Sequence, residues 1–232
     1  MSLEVALALF EFVVMLLALS FHDMVQSWVA FRLGDPTSRM LGRMSMNPLR
    51  HYDLLGTIIF PIVFLYQSPL VLGWGKPVPM TVRNFRKGSR DEMLVYAAGP
   101  VAHLLAAAVC LVILVVMKHT VPATSGVLPI AAMLSLRNTE VPTLGLPQIF
   151  PVVLLLYYGI LVNLVLFAFN LVPLPSLDGG KVLRHFLSYN AQAQFDRMSF
   201  WLMIAFFFIG FRIILLIMNP LLAVFNGLLS AL

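Results

Sequence analysis

A chain of 232 residues that is 60% hydrophobic and only 11% charged carries more apolar surface than a soluble domain of that size can bury, which excludes a soluble globule and specifies a polytopic membrane protein. Its net charge of +5 does not point to nucleic acid, because the Lys and Arg residues sit in short loops beside apolar spans, where positive-inside topology accounts for them. The single cysteine, Cys110, lies in an apolar span and excludes both an intrachain disulfide and a Cys-based zinc cluster.

The first apolar run, from about Leu3 to Leu33, has no Lys or Arg before it and no small-residue cleavage site after it, so it reads as a retained helix rather than a signal peptide. Within it stands Phe21-His-Asp-Met-Val-Gln-Ser-Trp28, a set of polar, metal-capable side chains that are costly in lipid and therefore need a reason. His22 and Gln26 are four apart and project from one helix face, roughly 6 Å from each other. Compared with the zinc motif His-Glu-x-x-His, the segment keeps the first His, has Asp23 in place of the Glu and Gln26 in place of the second His. Glu11, about three turns before His22 on the same face, and Arg212 are the remaining intramembrane charges. They are expected to pair, with Glu11 lining a cavity as the alternative.

Further along, the run 54–74 is ambiguous, carrying Pro61 and Pro69 with Gly56 and Gly73 at its ends. Arg32, Arg39, Arg43 and Arg50 precede it, and Lys76, Arg83, Arg86, Lys87 and Arg90 follow it, so both flanks look cytoplasmic. A re-entrant hairpin bent at the prolines is preferred to a single crossing. Gly75 to Val82 alternates and holds two prolines, which predicts an extended edge or hairpin near the membrane surface. Crossings are expected at about 91–117, 152–173 and 198–218, with an apolar tail from Pro220 too short to span alone. The segment Thr120–Pro151, rich in proline, is expected to be an external irregular cap. With the N-terminus outside, four crossings and a hairpin result, in one membrane domain over 1–232 whose core is about 4–190 and whose C-terminal membrane segment is 198–232.

A second polar cluster, Asn170-Leu-Val-Pro-Leu-Pro-Ser-Leu-Asp178-Gly-Gly180, closes the third crossing. Its prolines and glycines stop regular helix and present Asp178 from unwound chain, which membranes tolerate where it lines a buried cavity. The first and third crossings run in the same direction, so both clusters fall toward the cytoplasmic side.

At this point the chain resembles the site-2 protease family of intramembrane zinc metalloproteases in its compact bacterial form. The matching residues are His22 in its altered motif, Gly34-Asp-Pro-Thr37, Leu41-Gly-Arg43, Asn47-Pro-Leu-Arg-His51 and Gly56-Thr57, followed by Gly73-Trp74, Lys76-Pro-Val-Pro79, Ala98-Gly-Pro100 and Asn170 to Gly180. The resemblance implies an all-α polytopic fold with a site-2 protease-like helical core. It also implies one zinc ion on His22, Gln26 and Asp178, Asp23 in the position of the general base, and a substrate groove at Asn170, Pro173 and Pro175. His103, where relatives usually have Asn, is the candidate substitute for the missing imidazole, weighed against a His simply bonded to a neighbouring helix. His51, His119 and His185 have no spacing that points to metal.

Gln is a weaker zinc donor than imidazole, and Asp reaches one methylene less far than Glu toward a metal-bound water. Two readings follow. In one, the groove binds a transmembrane substrate or partner with peptidase activity lost or weakened. In the other, the protein is an active metalloprotease cutting transmembrane segments near the cytoplasmic side. The resemblance places it in a bacterial inner membrane, with the lipid bilayer and a transmembrane protein as its partners.

Overall fold

The computed structural model describes residues 2–67 and 70–232, and among them there are helices and no strands. Four helices are long and apolar enough to cross a membrane: α1 (Leu3–Leu33), α4 (Ser89–Thr120), α6 (Phe150–Leu171) and α9 (Ser199–Ala231). Between α1 and α4 lie the short α2 (Thr37–Met40) and α3 (Phe60–Gln67), and α5 (Ala123–Ser135) lies between α4 and α6. Two further short helices, α7 (Asp178–Arg184) and α8 (Tyr189–Arg197), connect α6 to α9. The all-α polytopic class expected from the sequence is the class observed.

Helix α6 is the axis of the molecule: Tyr158, Leu161, Leu164 and Leu166 are fully buried, and α1, α4, α5 and α9 pack around it. Its two buried amides, Asn163 and Asn170, each donate an amide hydrogen to the carbonyl one turn back, at Gly159 and Leu166, so neither leaves its side chain unbonded in apolar surroundings. Helix α1 begins at Ser2, whose Oγ accepts from the Val5 amide, and stops at Gly34, which takes the left-handed conformation (φ 115°) that closes a helix C-terminus.

The ambiguous run after α2 does turn back on itself. It starts as a turn of π-helix, Leu54–Ile59, continues as α3, and returns in extended chain so that Trp74 N–H donates to Gly56 O at 3.1 Å and Lys76 N–H to His51 O at 2.7 Å. Its two ends are therefore neighbours, as a re-entrant hairpin requires and a single crossing forbids. Pro61 is the second residue of α3, which follows the π-helical turn without a break, while Pro69 lies outside the described residues. The extended segment from Gly75 is tied down without a strand ladder: Arg43 donates to the Lys76 carbonyl and Thr81 N–H to Asp35 Oδ2.

Three expectations change. The segment after α4 is not irregular throughout, because Ala123–Ser135 forms α5 with Val127, Ala131 and Leu134 buried on one face at helical spacing. The final helix is continuous through Pro220, giving 33 residues instead of a crossing and a separate tail. One lost backbone hydrogen bond is a small fraction of what a long apolar helix supplies. Finally, Glu11 does not meet Arg212. It faces the interior, where Val71 N–H donates to its carboxylate at 2.7 Å and Arg137 ion-pairs with it at 3.1 Å, whereas Arg212 is on the exposed face of α9.

Candidate functional site

His22 and Gln26 lie one turn apart on the buried face of α1. Asp178 reaches them because the chain leaving α6 folds sharply through Val172–Leu177 before α7 starts. That fold depends on Gly180, where a Cβ would run into the Leu174 backbone carbonyl. Asp178 Oδ2 then accepts from Gln26 Nε2 at 2.7 Å and stands 2.9 Å from His22 Nε2. The two polar clusters, over 150 residues apart in sequence, share one site.

Helix α4 closes the opposite wall. A Cβ on Gly99 would overlap His22 Nε2, Gln26 Nε2 and Asp178 Oδ2 together, so the three donor groups converge on a space that only a glycine leaves open. Asp178 Oδ1 has Lys181 Nζ at 3.7 Å, and that ammonium lies over the Tyr96 ring.

Asp23 is held by more partners than its motif position foretells. Its Oδ1 meets His22 Nδ1 at 2.9 Å, while Oδ2 takes Arg43 and His51 Nδ1, each at 3.1 Å. His51 is in turn held by the Ser45 carbonyl on its other nitrogen. The sequence does not assign Arg43 and His51 to the site; both are buried there. Their only signal was membership of the Leu41-Gly-Arg43 and Asn47-to-His51 matches. With an ionised Asp23 accepting, His22 Nδ1 carries its proton, as in the carboxylate–histidine arrangement that orients metal ligands. His22 Nε2 then faces the Asp178 carboxylate, and two electron-rich atoms at 2.9 Å require a proton or a cation between them.

A metal fits part of this donor set. His22 Nε2 and Asp178 are suitable, but Gln26 points its NH₂ at Asp178 and would need its amide reversed to offer oxygen, a neutral donor weaker than imidazole. Among the described residues no three His, Cys, Asp or Glu side chains converge at coordinating distance. His103 is bonded to Asn163 on the neighbouring α6 and stacks on His22.

The site opens into a cavity of about 370 Å³. It runs from His22, Gln26 and Asp178 past Trp74 and Val78 of the hairpin to Phe207 and Phe211 of α9. Asn170 lines it. Pro173 is exposed, and in that turn Leu174, Ser176 and Leu177 face the cavity. The walls are mostly apolar and aromatic, with the polar groups confined to one end.

An all-helical membrane protein that gathers an imidazole and a carboxylate from distant helices at the polar end of such a cavity has the layout of an intramembrane metallopeptidase. The chain belongs to peptidase family M50, the site-2 proteases, whose family model matches residues 10–211. It is 33% identical over 190 residues to the Bacillus subtilis (strain 168) protein named "Putative zinc metalloprotease YwhC", across 81% of this chain and 74% of that relative. No solved structure matches the chain.

Proposed function

We propose that this member of the site-2 protease family binds a transmembrane segment of a substrate or partner protein in its cavity while its peptidase activity is lost or strongly weakened. The observation that carries this reading is the engagement of Asp23. A general base must present a free lone pair to the attacking water within about 3 Å. Arg43 and His51 fill Asp23 Oδ2 and His22 Nδ1 takes one position on Oδ1, so the lone pair left to a water is on the same oxygen that holds His22. Moving Asp23 onto a water would break its bonds to Arg43, His51 and His22, each of which then keeps its second partner: the Lys76 carbonyl, the Ser45 carbonyl and Asp178 respectively. Its role in this reading is to hold His22.

The cavity suits a helix or unwound segment entering between the hairpin and α9, with Phe207 and Phe211 packing on apolar side chains. Zinc, where bound, would be held by His22 and Asp178 with a third donor, and would supply a polarised water and carbonyl. The protein would lie in a bacterial inner membrane as a single domain over 1–232, with its site toward the cytoplasm.

The active-protease alternative draws on one observation: Asp23 still lines the cavity beside His22 and Asp178. A single experiment separates the two. Purified protein in liposomes is given a single-span reporter, with a photocrosslinker at Trp74 or Phe207. Capture of uncut reporter, blocked by filling the cavity with Val78→Trp, supports binding without hydrolysis. Cleavage that disappears in His22→Ala overturns it.

A further inference from the structure

The chain from the end of α2 to the hairpin, residues 40–52, has two unlike faces. Its inner face is polar and buried: Arg43 and His51 each reach Asp23 Oδ2 at 3.1 Å, and Arg43 also donates to the Lys76 carbonyl. Its outer face is apolar and open, with Met40 81%, Leu41 59% and Leu49 82% exposed although none of them belongs to a spanning helix. Large apolar side chains clustered on a surface mark a place of interaction.

Cations surround that face. From Arg32 to Arg90 every Lys and Arg except Arg43 is exposed, and none of these exposed cations has an ion-pair partner among the described residues. The two acids of the same stretch are engaged within the fold: Asp35 accepts from Thr81 and Asn84, and Asp53 from the Gly56 amide. The surface therefore carries one sign of charge and suits an anion. Arg39 lies over the Phe31 ring at 4.4 Å and Arg32 over Trp28 at 5.7 Å, so their stems cover apolar groups while their charged heads stay at the surface.

The height of this face in the bilayer follows from the helices beside it. At 1.5 Å per residue α1, with 31 residues, and α4, with 32, are about 46–48 Å long, the thickness of a bilayer with its headgroups. The chain entering α4 is bonded to the end of α1, Arg86 N–H donating to the Leu33 carbonyl at 3.2 Å. That end of both helices thus lies at headgroup depth, and residues 40–52 lie with it.

We propose that residues 40–52 dock on anionic phospholipid headgroups, with Met40, Leu41 and Leu49 entering the acyl boundary and Arg32, Arg39 and Arg50 on the phosphates, and that this docking holds Arg43 and His51 against Asp23. The lipid and the site are coupled because one short segment serves both, through opposite faces. The inference goes beyond the proposed function: it makes the composition of one leaflet a determinant of how firmly Asp23 is held, whatever happens to a bound segment.

The test uses the full chain in phosphatidylcholine vesicles that hold a minor share of phosphatidylglycerol carrying a photoactivatable group near its headgroup. Labelling should map to residues 40–52, phosphatidylcholine bearing the same group should label them several-fold less, and inorganic phosphate should not compete. Arg39→Gln combined with Arg50→Gln should lower the labelling at least about fivefold, given the attraction each cation adds near an anionic surface. Arg184→Gln, which removes a cation already paired with Asp196, should leave it unchanged. In the unmodified protein, amide exchange across residues 43–51 should slow several-fold when phosphatidylglycerol is added to the vesicles. Equal labelling by the two lipids, competition by inorganic phosphate, undiminished labelling in the double variant, or amide exchange indifferent to the lipid overturns the proposal. The lipid comparison and the exchange measurement need no variant, so a misfolded substitution cannot obscure the outcome.

Discussion

Replacing Gly99 with alanine tests whether the donor groups converge as described. The added methyl would come 2.5 Å from Gln26 Nε2 and 2.6 Å from Asp178 Oδ2, and closer still to His22 Nε2. A carbon and a polar nitrogen or oxygen need about 3.5 Å, so each group must retreat by roughly 1 Å. Retreat is resisted, because His22 and Gln26 are anchored on α1 and Asp178 on α7. Overpacking of this kind costs about 1–3 kcal/mol, and breaking the His22–Asp178 or Gln26–Asp178 bond strands a buried polar group at about 1–3 kcal/mol more. Gly99→Ala should therefore destabilise the protein by about 2–6 kcal/mol and open the site. Gly126 is the control: it is also helical, but a Cβ there meets nothing, so Gly126→Ala should be neutral or stabilising by up to about 1 kcal/mol. Reversible unfolding in mixed micelles measures both. A Gly99→Ala protein within about 0.5 kcal/mol of wild type would refute the convergence.

Glu11→Leu should destabilise by about 3 kcal/mol, since it removes the buried carboxylate that Arg137 and the Val71 amide both bind, while Arg212→Leu should stay within about 0.5 kcal/mol of wild type. Exchanging the charges at Glu11 and Arg212 should rescue nothing; recovery in the same unfolding assay would restore the pairing expected from sequence. Burial would raise the Asp35 carboxyl, but hydrogen bonds from Thr37, Asn84 and the Thr81 amide outweigh it and hold its pKa below the usual carboxylate range. A depressed folded-state pKa gives stability that is present above the unfolded value near 4 and lost as pH falls through the folded one. Asp35→Asn should remove that part of the acid-side slope, and an unchanged acid limb would count against it. The Arg184–Asp196 pair, about half exposed on both sides, should matter little: Asp196→Ala should cost less than about 1 kcal/mol by thermal shift.

The long spans were legible because apolar runs of bilayer length are written directly in composition, and because charges flanking 54–74 had the same sign on both sides. The sharing of one site by His22 and Asp178 was legible too: helix direction carries each cluster to the same side, and the i, i+4 spacing fixes His22 and Gln26 on one face. The path of α9 was less so, because Pro220 is a helix stop in water and only a bend in an apolar setting.

What the sequence determined by itself was thus the membrane fold, its crossing pattern and the three residues that meet at its polar end. The tertiary structure decided their partners. Periodicity says which face of a helix is buried but not which distant loop fills the space against it, so Arg43 and His51 on Asp23, Arg137 on Glu11 and Asn163 on His103 emerged only when the helices were packed. A buried polar group must find a hydrogen bond from whatever lies nearest in space, and that neighbour is set by packing, not by distance along the chain. For Asp23 those neighbours are His22, Arg43 and His51, and its place in the motif names only the first of them.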